Sequence, residues 1–483
     1  MHLHHTGAKG SEEDCARSRT RGLGFGSVII HHFAIKSSFF MSLGARRLKR
    51  PILVLVVGLW TSLTFIACGT SGKKNPPSGL KNRVLASQGV SSTFAFGGLV
   101  MIDGSTDTLP RVSPLGAGSS PGLMALSPTR NIATAFDSSS NTVFAVDTTK
   151  EAGIGNVRLG GPTSSMVIPT ASPMGYAAVP TATVTGFSFT GAVQVMNFSG
   201  GGLTTSIAVT NAETVIANSG GTQLVVFSNG SNSVTVLSPS AAVPPVDTSC
   251  LSSPPSNSPG AVCNIVPGFD RPVYGIINGN TAYILNCGPQ CGGIQASVMV
   301  FDLSTLTITR TIPVDAATWA LLDGSTLYVA GTSPTNDACT GETTAATTCG
   351  RLSIVDLTSG TVTGTAVITD GYHQRMDLTT NGQLFIGSRL CTNIGNVNNP
   401  SGEVRGCLSI YHIADHSVLF PPDNGDVNGL QGFTSRDVEY VAEGGSLRVY
   451  DIRTDILLIN DFLPQGNINI VGYVGDVKAI DFF

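Results

Sequence analysis

From residue 83 onward, apolar residues fall at alternate positions in short runs, most of them ending on a polar residue and a turn. The clearest runs are Leu99–Asp103, Val143–Asp147, Val193–Asn197, Val234–Ser238, Val298–Asp302, Leu352–Asp356, Leu408–His412 and Leu447–Asp451. A period of two is the mark of a half-buried strand. No apolar period of 3.6 residues runs for a useful length after Cys68, so the chain reads as all-β. The eight runs recur about every 50 residues, and a period of ~40–50 with several strands per unit points to a β-propeller.

Each unit divides into four pieces. In the fifth, Arg271–Ile276 reads as an inner strand, Thr281–Leu285 as the second, Val298–Asp302 as the third and Thr307–Val314 as the fourth. The sixth repeats this with Ala317–Leu322, Thr326–Ala330, Leu352–Asp356 and Thr361–Thr369. Asn278-Gly279 and Asp323-Gly324 supply the hairpin chemistry between first and second strands, because such turns need positive φ. Eight third strands predict eight blades. Asn467–Val474 and Val477–Asp481 look like a first and a second strand with no third to follow. Joined to the N-terminal blade, they would close the ring and remove an exposed edge. Arg83–Ala86 competes for the same slot, which leaves seven blades as the alternative.

The units Thr326–Ala330 with Leu352–Asp356, and Val438–Ala442 with Leu447–Asp451, resemble the YVTN-repeat β-propeller family. The resemblance covers roughly 83–483 and implies the fold. It implies little about activity, since propellers host unrelated functions.

Ahead of the repeats, Arg46-Arg47-Leu48-Lys49-Arg50 leads into a mostly apolar stretch, Pro51–Ala67, which is followed by Cys68. Charged start, apolar middle and small residue before the cut make a secretory signal. The Cys directly after resembles a bacterial lipobox, which implies lipidation of Cys68 and a mature chain beginning there. The competing reading is a transmembrane helix, for which this stretch is at the short end of the spanning range. Residues 1–40 read as a mis-called extension before a start at Met41, 41–67 as the signal peptide, 68–82 as a Gly/Ser/Pro tether and 83–483 as one propeller. A bacterial envelope location follows, lipid-anchored, with the outer membrane favoured by Gly69 after the Cys.

From residue 68 the chain carries 18 Lys and Arg against 28 Asp and Glu, a net charge of −10. That balance speaks against nucleic acid, whose phosphates need clustered cations. Charged residues are 12% of the sequence, well below the ~25% of typical soluble proteins. Gly, Ser, Thr and Asn fill the gap, as suits strands and tight turns.

Eight cysteines follow Cys68, and an even number in an exported chain predicts disulfides. Placement suggests pairing within loops: Cys250 with Cys263, Cys287 with Cys291, Cys339 with Cys349 and Cys391 with Cys407. The last three pairs fall in the second-to-third-strand loops of blades five, six and seven, on one face. Beside them run the segments leading into the inner strands. They make a candidate binding rim of Asp270, Arg271, Trp319, His373, Gln374 and Arg375. The ordinary alternatives are a core Trp319 and an Arg375 paired with Asp377.

No metal or cofactor is expected: Cys287-Gly-Pro-Gln-Cys291 is not Cys-x-x-Cys, and only His373, His412 and His416 follow Cys68. No nucleophile elbow or phosphate loop is present. The sequence therefore suggests a non-catalytic envelope lipoprotein whose propeller face binds a protein, peptide or glycan. The alternatives are a channel enzyme of lactonase-like or quinone-cofactor type and a structural surface component. A buried Asp, His and Arg cluster near the axis would favour the enzyme.

Overall fold

A computed structural model describes residues 76–90, 97–239, 263–333, 349–391, 407–421, 425–433 and 435–481. The signal-like segment and Cys68 lie outside the described residues, as do Cys250 and Cys339. Pro76–Phe483 forms one compact unit. It is an all-β propeller of eight blades, with antiparallel strands in each. Every third strand expected from the alternating pattern is the third strand of its own blade. Blade five, for example, runs Pro272–Asn278, Thr281–Asn286, Ser297–Asp302 and Thr307–Pro313 from the axis outward.

The recurring terminal Asp has a local cause. Asp103, Asp147, Asp302, Asp356 and Asp451 each accept a hydrogen bond from the backbone N–H two residues on, at 2.7–2.9 Å. These Asx turns start the third-to-fourth-strand hairpins, so the repeated carboxylate is turn chemistry rather than a repeated site. The first-to-second-strand hairpins of blades five and six use two-residue loops led by Gly279 and Gly324, at φ +62° and +55°.

The ring closes on one C-terminal strand. Tyr473–Ala479 is the innermost strand of blade one and pairs with Arg83–Gly89, which pairs in turn with Gly98–Asp103. An isolated bridge from Leu99 to Leu115 stands at the outer edge of that blade. Arg83–Ala86 therefore holds the second place, and eight blades form. Asn467–Ile468 belongs to the outer edge of blade eight instead, pairing Leu447 and Arg448. Polar clamps hold the seam. Arg83 binds Asp481 at 2.7 Å and Glu151 at 2.9 Å, and its Nη1 also donates to the Thr148 carbonyl. Arg436 binds Asp107 at 2.6 Å, and the buried Tyr440 hydroxyl donates to the same carboxylate.

Apolar clusters fill the spaces between blades. The largest joins blades four, five and six through Phe227, Phe269, Ile284, Phe301, Leu327 and their neighbours. Another spans the seam between blades eight and one, around Tyr440, Val449, Val474 and Val477.

Candidate functional site

Six inner strands share one irregularity. In blades one, two, four, five, seven and eight, the pairing of first and second strands shifts by one residue near the start of the inner strand. The extra residue is Gly475 in blade one, Glu213 in blade four, Val273 in blade five, Gln374 in blade seven and Asn428 in blade eight. A bulge turns the strand and re-aims the side chain that follows it. Those following residues are Asp476, Thr214, Tyr274, Arg375 and Gly429. Trp319 holds the matching place in blade six, opposite Ala330 as Tyr274 is opposite Leu285. The same level of the ring thus carries Tyr274, Trp319, Arg375, Gly429 and Asp476 on successive blades.

These side chains meet across blades. Tyr274 and Trp319 stack at 3.8 Å with a 15° interplanar angle. Burial first pushes the Tyr274 phenol far up, and the charge of Arg375 works against it. Arg375 donates through Nε to the Asn428 carbonyl at 2.7 Å and through Nη1 to the Gln374 carbonyl at 2.8 Å. Its Nη2 lies 4.0 Å from Asp476, two blades away. Gly429 makes that span possible, because a Cβ there would stand 2.6 Å from the Asp476 carboxylate. Asp476 is fully buried and also takes Lys478 Nζ at 2.8 Å and the Met124 N–H at 3.0 Å. Arg375 is therefore paired with Asp476 rather than with Asp377.

Above this level, on the face that carries the disulfides, two tyrosines remain open: Tyr372 is 42% and Tyr473 50% exposed. Enclosure by surrounding atoms, then the charge of Glu213 on blade four, pushes the Tyr372 phenol up. Tyr473 accepts a hydrogen bond from Asn428 Nδ2 at 2.8 Å. Below it, Asp377 accepts the Gly432 N–H. Glu439, fully buried, lies against Asp377. Burial, and then the charge of Asp377, hold the Glu439 carboxyl well above its ordinary range. Among the described residues no group of three or more His, Cys, Asp or Glu could hold a metal ion.

The residues expected on the rim divide. Trp319, Gln374 and Arg375 stand at the inner-strand level just described. Asp270 serves its own loop, accepting the N–H groups of Ile294 and Gln295 at 2.7 and 2.6 Å. Arg271 sits at φ +57°, and its N–H donates to Asn232 of blade four. His373 is fully buried, with Nε2 against the Thr369 carbonyl at 2.8 Å. Desolvation pushes its pKa down to about 4, so it is a neutral core residue. Cys287 is bonded to Cys291 and Cys391 to Cys407, each pair with Cα atoms 5.6 Å apart. Cys263 and Cys349 are also disulfide-bonded. Sequence reasoning missed Tyr274, Tyr473, Asp476 and Glu439. Aligning the repeats would have found Tyr274, which takes the same place as Trp319 and Arg375.

No family model matches the chain, and no curated protein matches it. Among solved structures, the dihydro-heme d1 dehydrogenase NirN, in complex with DHE, aligns with a TM-score of 0.55 at 12% identity, over 84% of this chain and 79% of that one. A proposed 6-phosphogluconolactonase from Bacteroides fragilis aligns with a TM-score of 0.47 at 11% identity, over 86% of this chain and 100% of that one. At 12% identity the likeness to the first of these is one of fold alone.

Proposed function

We propose that the protein is a lipid-anchored binding propeller of the bacterial envelope, held at Cys68, which takes a glycan, peptide or protein segment over the axis on its disulfide face. The sequence features behind the anchor are the basic cluster, the apolar run and the lipobox-like end. On this reading the chain is a diverged relative of the YVTN-repeat propellers, tethered by 68–82. The observation that carries the binding site is the inner-strand level itself. Bulges bring Tyr274 and Arg375 to the height that Trp319 holds on the regular inner strand of the blade between them, below the open rings of Tyr372 and Tyr473. Aromatic faces stack on sugar or side-chain rings, and a guanidinium reads a carboxylate or hydroxyl edge.

Capture from detergent-solubilised envelopes tests this, using the mature protein with its anchor intact. Arg375→Ala and Trp319→Ala should each lose the partner that the wild type retains. Equal capture by all three proteins would remove the site.

One observation favours a second reading, a channel enzyme. Asp377 and Glu439 form a carboxyl pair in which burial and the neighbouring charge raise Glu439 well above its ordinary range. Lys478, Asp476 and Arg375 stand nearby on neighbouring inner strands. A dehydrogenase among the fold's neighbours fits this reading without carrying it. Turnover of a lactone or quinone-linked substrate that Glu439→Gln abolishes would favour the enzyme over the binder.

A further inference from the structure

Gly371 leads into the inner strand Tyr372–Leu378 of blade seven and is gripped from three sides. From blade five, Gln290 reaches across blade six. Its Oε1 accepts the Thr332 N–H at 2.8 Å, and its Nε2 donates to the Gly371 carbonyl at 3.4 Å. Gln290 sits in the short 3₁₀ turn Gly288–Cys291, which the Cys287–Cys291 disulfide closes. From blade six, Thr332 Oγ1 donates to the same Gly371 carbonyl at 2.7 Å. From blade seven, the chain at Cys391 presses against Gly371. A Cβ on Gly371 would lie 3.0 Å from Cys391 Cα and 2.5 Å from the Arg389 carbonyl, and φ is +100°. Only glycine fits there. Cys391 is tied to Cys407, and the preceding Asp370 carbonyl is held by Ser388 Oγ at 2.8 Å.

We propose that the disulfide-closed loops of blades five and seven form a clamp on Gly371, with Gln290 as its positioning residue, and that this clamp sets the placement of Tyr372, Gln374 and Arg375. The role for ligand binding rests on the binding-site reading above. The clamp itself is a mechanical claim about one strand. Gln290 and Gly371 are 81 residues apart in sequence, and the side chain from blade five and the Cys391 backbone of blade seven meet at this one glycine. The Gln290 side chain reaches from blade five to blade seven by a hydrogen bond.

Hydrogen exchange on the mature protein measures the clamp without any ligand. Gln290→Ala removes the bridge and leaves the disulfide and both cores intact. Amides of Tyr372–Arg375 should then exchange about fivefold faster, the factor one ordinary hydrogen bond is worth. Those of Pro272–Asn278 should stay at the wild-type rate. The paired change Cys391→Ser with Cys407→Ser should act on the same amides from the other side. Gly371→Ala is expected to disturb folding, so Gln290→Ala is the deciding variant. Faster exchange confined to residues 288–295, or none, would overturn the clamp. If exchange responds but Arg375→Ala captures the envelope partner as well as wild type, the clamp stands and the binding site falls.

Discussion

Blades four to six and blades seven, eight and one complete the same ring with different materials. In blades four to six the buried polar side chains are Thr235, Asn264, Asn286, Ser297, Thr318, Ser333 and Ser353, with no charged group buried among the described residues. Across the other sector lie Asp370, His373, Asp377, Glu439, Glu443, Asp451, Asp455, Asp476, Arg83 and Asp107, all buried. The first sector follows the chain without a break. The second contains the seam where the two ends must find each other. Apolar burial is non-directional. Ion pairs and carboxylate hydrogen bonds have fixed partners, so they select one closure. Arg83 illustrates this: it accepts only an arrangement that brings Asp481 and Glu151 to it together.

Removing residues 471–483 should have the largest effect. It takes away the inner strand of blade one together with Asp476 and Asp481. The ring reopens at the seam, and the whole domain should lose its cooperative thermal transition rather than fray at one end. A truncated protein melting at the wild-type temperature would refute the one-strand closure.

Single substitutions sharpen the contrast between sectors. Asp476→Ala leaves Lys478 and Arg375 without their buried counter-charge. It should destabilise by about 3–5 kcal/mol, the range for breaking a buried pair. Ser353→Ala in blade six removes a fully buried hydroxyl that has no hydrogen-bond partner. It should change stability by less than about 0.5 kcal/mol, or raise it slightly. Denaturant midpoints at fixed m-value read both.

The same sector should respond to pH through two groups of opposite sign. His373 titrates at about 4 when folded against an ordinary 6.5, so between these values the unfolded chain binds the extra proton. Stability is therefore lost as pH falls from 6.5 toward 4, by on the order of 3 kcal/mol in full. Glu439 is raised above its ordinary 4.5, so the folded protein keeps the proton. Its contribution is present below pH 4.5 and is lost as pH rises. His373→Asn should flatten the acid limb of the stability profile, and Glu439→Gln the limb above pH 4.5. A profile unchanged by either variant would exclude these two groups as its source.

The two sectors were not equally legible in sequence. In blades five and six the alternating runs, the Gly279 and Gly324 turns and the Asp caps are all local signals, and the strands lie within a few residues of where those signals put them. At the seam, Asn467–Val474 looks like a strand by alternation, but its pairing is decided by contacts with Leu447 and Arg448, and by Tyr473–Ala479 reaching Arg83–Gly89. Partners nearly 400 residues apart leave no local trace. The site shows the same limit. Trp319 and Arg375 stand out by residue type, whereas the bulge that aims Arg375 is a relation between two strands. His373 looked accessible from its place next to a loop, but the single residue inserted at Gln374 leaves it facing the core.

The smallest expected effect on stability tests the disulfide face most directly. Ile294, just after the disulfide-closed turn of blade five, is 88% exposed, and Leu390, beside Cys391 in blade seven, is 78% exposed. Neither contributes to a core, and both sit on backbone held by a carboxylate: Ile294 N–H by Asp270, Leu390 N–H by Asp426 at 2.8 Å. Leu390 also occupies φ +54°, which asparagine tolerates better than leucine does. Ile294→Ser and Leu390→Asn should each leave stability within about 0.5 kcal/mol of wild type. If this face meets a partner, the double variant should lower envelope capture severalfold at an unchanged melting temperature, because exposed apolar side chains around an aromatic centre exclude water there. Capture unaffected by the double variant but lost in Arg375→Ala would confine the interface to the axis and leave the two loops a purely positioning role.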